Sequence, residues 1–197
     1  MRHRSTFIVI VTIVLGALAP GYAETWKIDP AHSAAQFSVR HMGISTVRGN
    51  FTQLGGTIQY DSANPAASSV EVTIESASVD TRVEKRDNDL RSDKFVDSAK
   101  FPQITFKSKR VEAAGAGKLK VTGDLTLHGT TKEVVLEVDG PNGPIKDMQG
   151  NPRMGASATT TINRRDFGVS TYPAAVVGED VAITLDVEFA QTPQAKH

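Results

Sequence analysis

Apolar residues fall at every second position over most of this chain, the spacing of strands that bury one face. Residues 35–42 set Ala35, Phe37, Val39 and His41 on one side, with Gln36, Ser38 and Arg40 on the other. Residues 70–75 set Val70, Val72 and Ile74 against Glu71, Thr73 and Glu75. In KLKVTGDLTL, residues 118–127, Leu119, Val121, Leu125 and Leu127 share a face with Gly123, and Lys118, Lys120, Thr122, Asp124 and Thr126 take the other. VAITLDVEF repeats the pattern with Val181, Ile183, Leu185, Val187 and Phe189. Weaker alternation marks 46–54, 56–60, 103–111, 132–138 and 153–162.

Turn residues separate these runs: Gly55-Gly56, Asn64-Pro65, Gly115 to Gly117, and the loop DGPNGPIKDMQGNP at 139–152. LTLHGTTKEVVLEV reads as a tight hairpin turning at His128-Gly129. Eight or nine antiparallel strands in one domain predict a sandwich or a closed barrel, and a barrel of about eight strands has room for one small ligand. Ala35, Gly123, Ala156 and Ala158 are small inward positions. They suit either a filled, tapering interior or a tunnel.

One stretch breaks the period of two. TRVEKRDNDLRSDKFVDSAKFP, residues 81–102, is dense in charge and reads as helix. Thr81 and Glu84 have capping-box spacing, and Asp80 lies near the positive end of the helix dipole. Val83 and Leu90 share a side with Asp87 between them, Phe95 and Val96 extend it, and Pro102 starts the next extended run. The expectation is a helical insert from Thr81 to Val96 that covers a barrel mouth, with Val83, Leu90 and Phe95 turned inward.

The N-terminus has a different character. Arg2, His3 and Arg4 precede an apolar run from Phe7 to Ala19, then Pro20 and Gly21-Tyr22-Ala23. This is the layout of a secretory signal peptide cleaved after Ala23, and the run is too short to span a bilayer. Removing 23 of 197 residues leaves 174, enough for one domain with a single core. The expected organisation is a signal peptide at 1–23, a barrel at 24–191 and a flexible tail at 192–197. The 22 basic and 22 acidic residues become 20 and 22 once Arg2 and Arg4 are lost. That balance predicts neither nucleic-acid binding nor stable attachment to a membrane. With no cysteine, the chain has no disulfide, thiol nucleophile or lipoprotein anchor. A soluble periplasmic protein is the expected product.

WKIDPAHSAAQFSVRHMGISTVRGNF, SVDTRVEKRDNDLRSDKF, KFPQITFKS, VTGDLTLHGTTKEVVLEV and TINRRDFG, in this order from Trp26 onward, closely resemble the YceI-like family of polyisoprenoid-binding, lipocalin-like proteins. The resemblance implies an all-β, eight-stranded antiparallel barrel with a short helix at one mouth. It also implies an elongated apolar tunnel for a long-chain isoprenoid or related fatty-type lipid, periplasmic export and frequent homodimers. In one place the chain departs from the family pattern: Arg86-Asp87-Asn88-Asp89-Leu90 carries Asp89 where relatives usually have histidine. Asp89 in that place would reverse a local preference for headgroup charge.

Inward parity nominates Phe37, Val39, His41, Phe106, Val121, Leu125, Leu136 and Ile162 as tunnel lining. Val83, Arg86, Asp87, Leu90, Phe95, Arg164 and Asp166 are nominated for the mouth, with Arg40, Arg48 and Arg165 as further charged candidates. For the charged members, capping and ion pairing compete with ligand contact. A calcium-loop reading of DNDLRSD fails, because Ser92 stands where glycine is required and Ser98 where glutamate is. No histidine spacing suggests a metal, and no cofactor is expected. The sequence lacks a G-x-S-x-G elbow and a phosphate-cradling loop. A lipid carrier is therefore the leading expectation. A hydrolase or isomerase acting in the same tunnel, and a filled barrel serving as an interaction module, are the alternatives.

Overall fold

The computed structural model describes residues 24–191; the predicted signal peptide and tail lie outside the described residues. Eleven strand segments form a single antiparallel sheet: β1 (Glu24–Ile28), β2 (Ala34–His41), β3 (Ser45–Phe51), β4 (Leu54–Tyr60), β5 (Ser69–Glu75), β6 (Val79–Asp80), β7 (Gln103–Ala113), β8 (Lys118–Leu127), β9 (Thr130–Lys146), β10 (Pro152–Asn163) and β11 (Val177–Gln191). The ring β1-β4-β5-β7-β8-β9-β10-β11 closes through the pairing of Trp26 with Gln191 and of Ile28 with Phe189. The remaining segments extend this eight-stranded barrel. β2 continues β1 along the edge of β11, β3 continues β4, and β6 continues β5.

Hairpin chemistry explains the tight ends. His128 and Gly129 have φ of 51° and 71°, and Met42 and Gly43 have 50° and 71°. Two successive positive φ values give the turn whose twist matches its flanking strands. All nine runs with period two contain strands, but the turn expected at Gly55-Gly56 falls at Thr52 and Gln53, inside the 46–54 run, and both glycines belong to β4. β1 was not anticipated, since ETWKI offers only Trp26 and Ile28 as buried apolar positions.

The stretch 139–152, expected to be a loop, is mostly strand, because β9 runs to Lys146. Its partner β8 begins at Lys118 opposite Asp139, so Pro141 and Pro144 lie beyond the end of β8, where a missing N–H breaks no ladder on that side. The β9–β10 register also slips between Arg153 and Ser157, which absorbs the irregularity.

The helix differs from expectation as well. α1 covers Glu84–Arg91 and gives way to turns, so the helical insert is half the predicted length. Thr81 is not its cap. Asp87 reaches back instead and accepts from the Thr81 backbone N–H at 2.8 Å and its hydroxyl at 2.5 Å. Arg86 Nε donates to the Thr81 hydroxyl oxygen at 2.7 Å. Both Thr81 and Asp87 are buried, so a closed polar knot ties α1 to the strand that leads into it.

Candidate functional site

The inward faces of the strands enclose a cavity of about 270 Å³. On β11 its lining extends from Val177 to Phe189. Twelve residue steps along a strand tilted by about 40° give a length near 30 Å along the barrel axis. Its walls are side chains of valine, leucine, isoleucine, phenylalanine and alanine, with few polar residues among them. The small inward positions have two different roles. A Cβ on Gly123 would lie 2.6 Å from the Phe106 ring and 2.5 Å from the Lys107 carbonyl oxygen, so this glycine makes room for an aromatic side chain. Ala35, Ala156 and Ala158 line the open space. The interior is thus a tunnel, and the filled-barrel alternative lacks the packed bore it needs.

Phe37, Val39, Phe106, Val121, Leu125, Leu136 and Ile162 all line this cavity. His41 does not. It sits at the end of β2, half-buried beside the Met42-Gly43 turn, where the strand has already reached the rim. Of the residues nominated for the mouth, Leu90, Phe95 and Arg164 contribute to the lining, and Val96 joins them. Val83 is 46% exposed, because it precedes the first helical residue and points away from the bore. Asp166 is exposed in the turn after β10. Arg86 and Asp87 belong to the Thr81 knot and do not line the cavity.

Arg164 is buried with only 4% exposure. Its guanidinium donates to the carbonyl oxygens of Gly178, Val169, Tyr172 and Val177, and burial pushes its pKa down. Its donors are spent on holding the β10–β11 connection in place, where the sequence suggested an ion pair or a ligand contact. Asp89 is committed too: Lys94 Nζ donates to its Oδ1 at 3.0 Å, and the Tyr172 hydroxyl to its Oδ2 at 3.3 Å. Paired in this way and absent from the lining, it does not project a free negative charge into the tunnel.

The segment after α1 spans one end of the barrel. Phe95 stacks on Tyr172 with ring centroids 5.3 Å apart, and Phe101 meets His128 edge-on at 5.1 Å. At the opposite end Trp26, Met154 and Phe189, each no more than 3% exposed, pack with Ile28, Leu54 and Ile58. Outside that end Arg153 bridges Asp29, Asp147 and Glu188. Hydrogen bonds from His32 and then Arg153 lower the Asp29 pKa to about 2. Asp29, His32 and Glu188 converge closely, and Arg153 already pairs with both carboxylates, which makes this an ion network on the outer wall.

A closed eight-stranded antiparallel barrel with a short helical segment at one end and an apolar bore belongs to the lipocalin-like class of barrels. The YceI-like domain matches residues 26–189, and the chain belongs to this family. Protein YceI of Escherichia coli O157:H7 is 40% identical over 171 residues, which are 86% of this chain and 88% of the relative. The structure of BcnA from Burkholderia cenocepacia superposes with a TM-score of 0.74 at 25% identity, covering 82% of this chain and 98% of BcnA. A polyisoprenoid binding domain from Saccharophagus degradans shares the fold, with a TM-score of 0.62 at 17% identity over 85% of this chain and 98% of that domain.

Proposed function

We propose that this protein is exported to the periplasm and there sequesters and carries a long-chain isoprenoid or related lipid in its barrel. The observation that carries the reading is the long apolar cavity enclosed by the strands. Water in such a bore finds few hydrogen-bond partners, and an alkyl or prenyl chain displaces it favourably. Burying about 500 Å² of apolar ligand surface supplies on the order of 12 kcal/mol before ordering and association costs. The Saccharophagus domain, described as polyisoprenoid-binding, has the same barrel and supports this reading. Export is supported by the charged, apolar and small-residue order of residues 2–23.

The carboxylates with clearly shifted pKa values, Asp29 and Asp147, are shifted down and do not line the bore, which favours binding over acid–base chemistry in the cavity. The test is mass spectrometry of organic extracts from the natively purified protein, paired with titration of a fluorescent polyprenol. A stoichiometric long-chain lipid and saturable probe uptake are expected. Empty extracts together with no uptake would overturn the proposal.

A further inference from the structure

The two ends of the barrel are built differently, and the difference locates the door. At the far end Phe189 lines the bore, and Trp26 and Met154 pack with it within the strands themselves. At the α1 end the closure is made by a segment whose polar contacts lie mostly on one side. Arg91 donates to the carbonyl oxygens of Ala77 and Val79 at 2.7 Å each, and the Thr81 knot joins the same stem to Arg86 and Asp87. All of these bonds tie α1 to residues 77–81, the strand end from which it emerges.

Across the opening stands the β10–β11 connection, which Arg164 clamps through four carbonyl oxygens. Tyr172 projects from this clamped loop to the α1 segment. Its ring stacks on the cavity-lining Phe95, and its hydroxyl donates to Asp89 at 3.3 Å. One side of the segment is thus fixed by a dense set of hydrogen bonds, while its contact with the β10–β11 connection is one aromatic stack and one bond of moderate length, with Phe101 against His128 further along.

We infer that cargo enters and leaves between α1 and the β10–β11 connection, and that Tyr172 is the latch of this portal, with residues 77–81 as its hinge. Opening at this edge parts the Phe95–Tyr172 stack and breaks the Asp89 bond, while the Thr81 knot, the Arg164 clamp and the Phe101–His128 contact stay whole. The inference rests on the lipid-binding reading for its purpose, but the latch has its own physical signature.

The test measures release of a fluorescent polyprenol from wild-type protein, Tyr172→Phe and Tyr172→Ala, together with amide hydrogen exchange of the unliganded forms. Tyr172→Phe keeps the ring and loses the hydroxyl, so release should quicken about threefold to fivefold, as expected for one partly exposed hydrogen bond. Tyr172→Ala also loses the stack and should release about tenfold faster or more. In Asp89→Ala, the further change Tyr172→Phe should add little, since the partner is already gone. Amide exchange over residues 84–96 should rise in Tyr172→Ala and stay unchanged in β7 to β10. Unaltered release in both Tyr172 variants, or unaltered exchange over 84–96, would overturn the latch. If wild-type protein takes up no polyprenol, the lipid-binding reading falls, and the exchange measurement still decides whether Tyr172 holds the segment down.

Discussion

Replacing Val121 with tryptophan should abolish uptake of a long-chain lipid while leaving the barrel folded. Val121 lies near the middle of β8, is 4% exposed, faces the cavity and pairs with Val111 and Leu136 on its two neighbours. Tryptophan adds about seven heavy atoms at this point. If they displace five or so methylenes of cargo at about 0.8 kcal/mol each, the loss is about 4 kcal/mol, or roughly a thousandfold in affinity. In a packed core such an enlargement costs about 1–3 kcal/mol, and the open space beside Val121 should hold the cost near the lower limit. The assay is titration with a fluorescent polyprenol, with circular dichroism and thermal melting as controls for folding. Lys120→Trp, one residue away on the outer face, should bind as wild type does. A folded Val121→Trp protein with unchanged affinity would refute the assignment of this wall to the binding site.

Three further outcomes follow from other parts of the molecule. Leu90→Ala removes a cavity-lining side chain from the closing segment, and release of bound polyprenol should accelerate about tenfold for each 1.4 kcal/mol of closure lost, without change in strand content. Asp29 has a folded pKa of about 2 against an ordinary 3.8, so its contribution is complete above pH 4 and is lost as pH falls through 2. With screening allowed for, it is on the order of 1 kcal/mol; Asp29→Asn should flatten the acid limb of a stability–pH curve measured by urea unfolding. Gly123→Ala forces a Cβ to within 2.5 Å of the Lys107 carbonyl oxygen and should destabilise the barrel by about 1–3 kcal/mol in the same urea assay.

The parts of this structure that depend on local spacing could be read from the sequence, and those that depend on meetings between distant residues could not. Period two marked nine strands and the inward parity of Phe37, Val121 and Ile162, because alternation is a property of neighbouring residues. It overreached at His41, where the same parity continues past the point at which the strand leaves the cavity. The Thr81–Glu84 spacing suggested a capping box, yet Asp87 reaches back to Thr81 with a geometry set by the β3–β6 pairing beside it. Arg164 looked like half of an ion pair, but a loop folded around it offers four carbonyl oxygens that no spacing encodes. Tyr172 attracted no notice in the sequence, since its partners Asp89 and Phe95 lie some eighty residues earlier and meet it only when the barrel closes.

The seam that completes the ring joins β1 to β11, so the first described strand waits for the last. Until Phe189 reaches Ile28 and Met154, the sheet has two open edges and its apolar face has no opposite wall. Closing a loop of this length is entropically costly and slow compared with forming local hairpins such as β8–β9. A chain without β11 therefore holds hairpins but no container, and its aggregation-prone edges are shielded only once that strand has joined. Removal of β11 should leave no smaller barrel behind, because its absence strips the neighbouring strands β1, β2 and β10 of a partner at once.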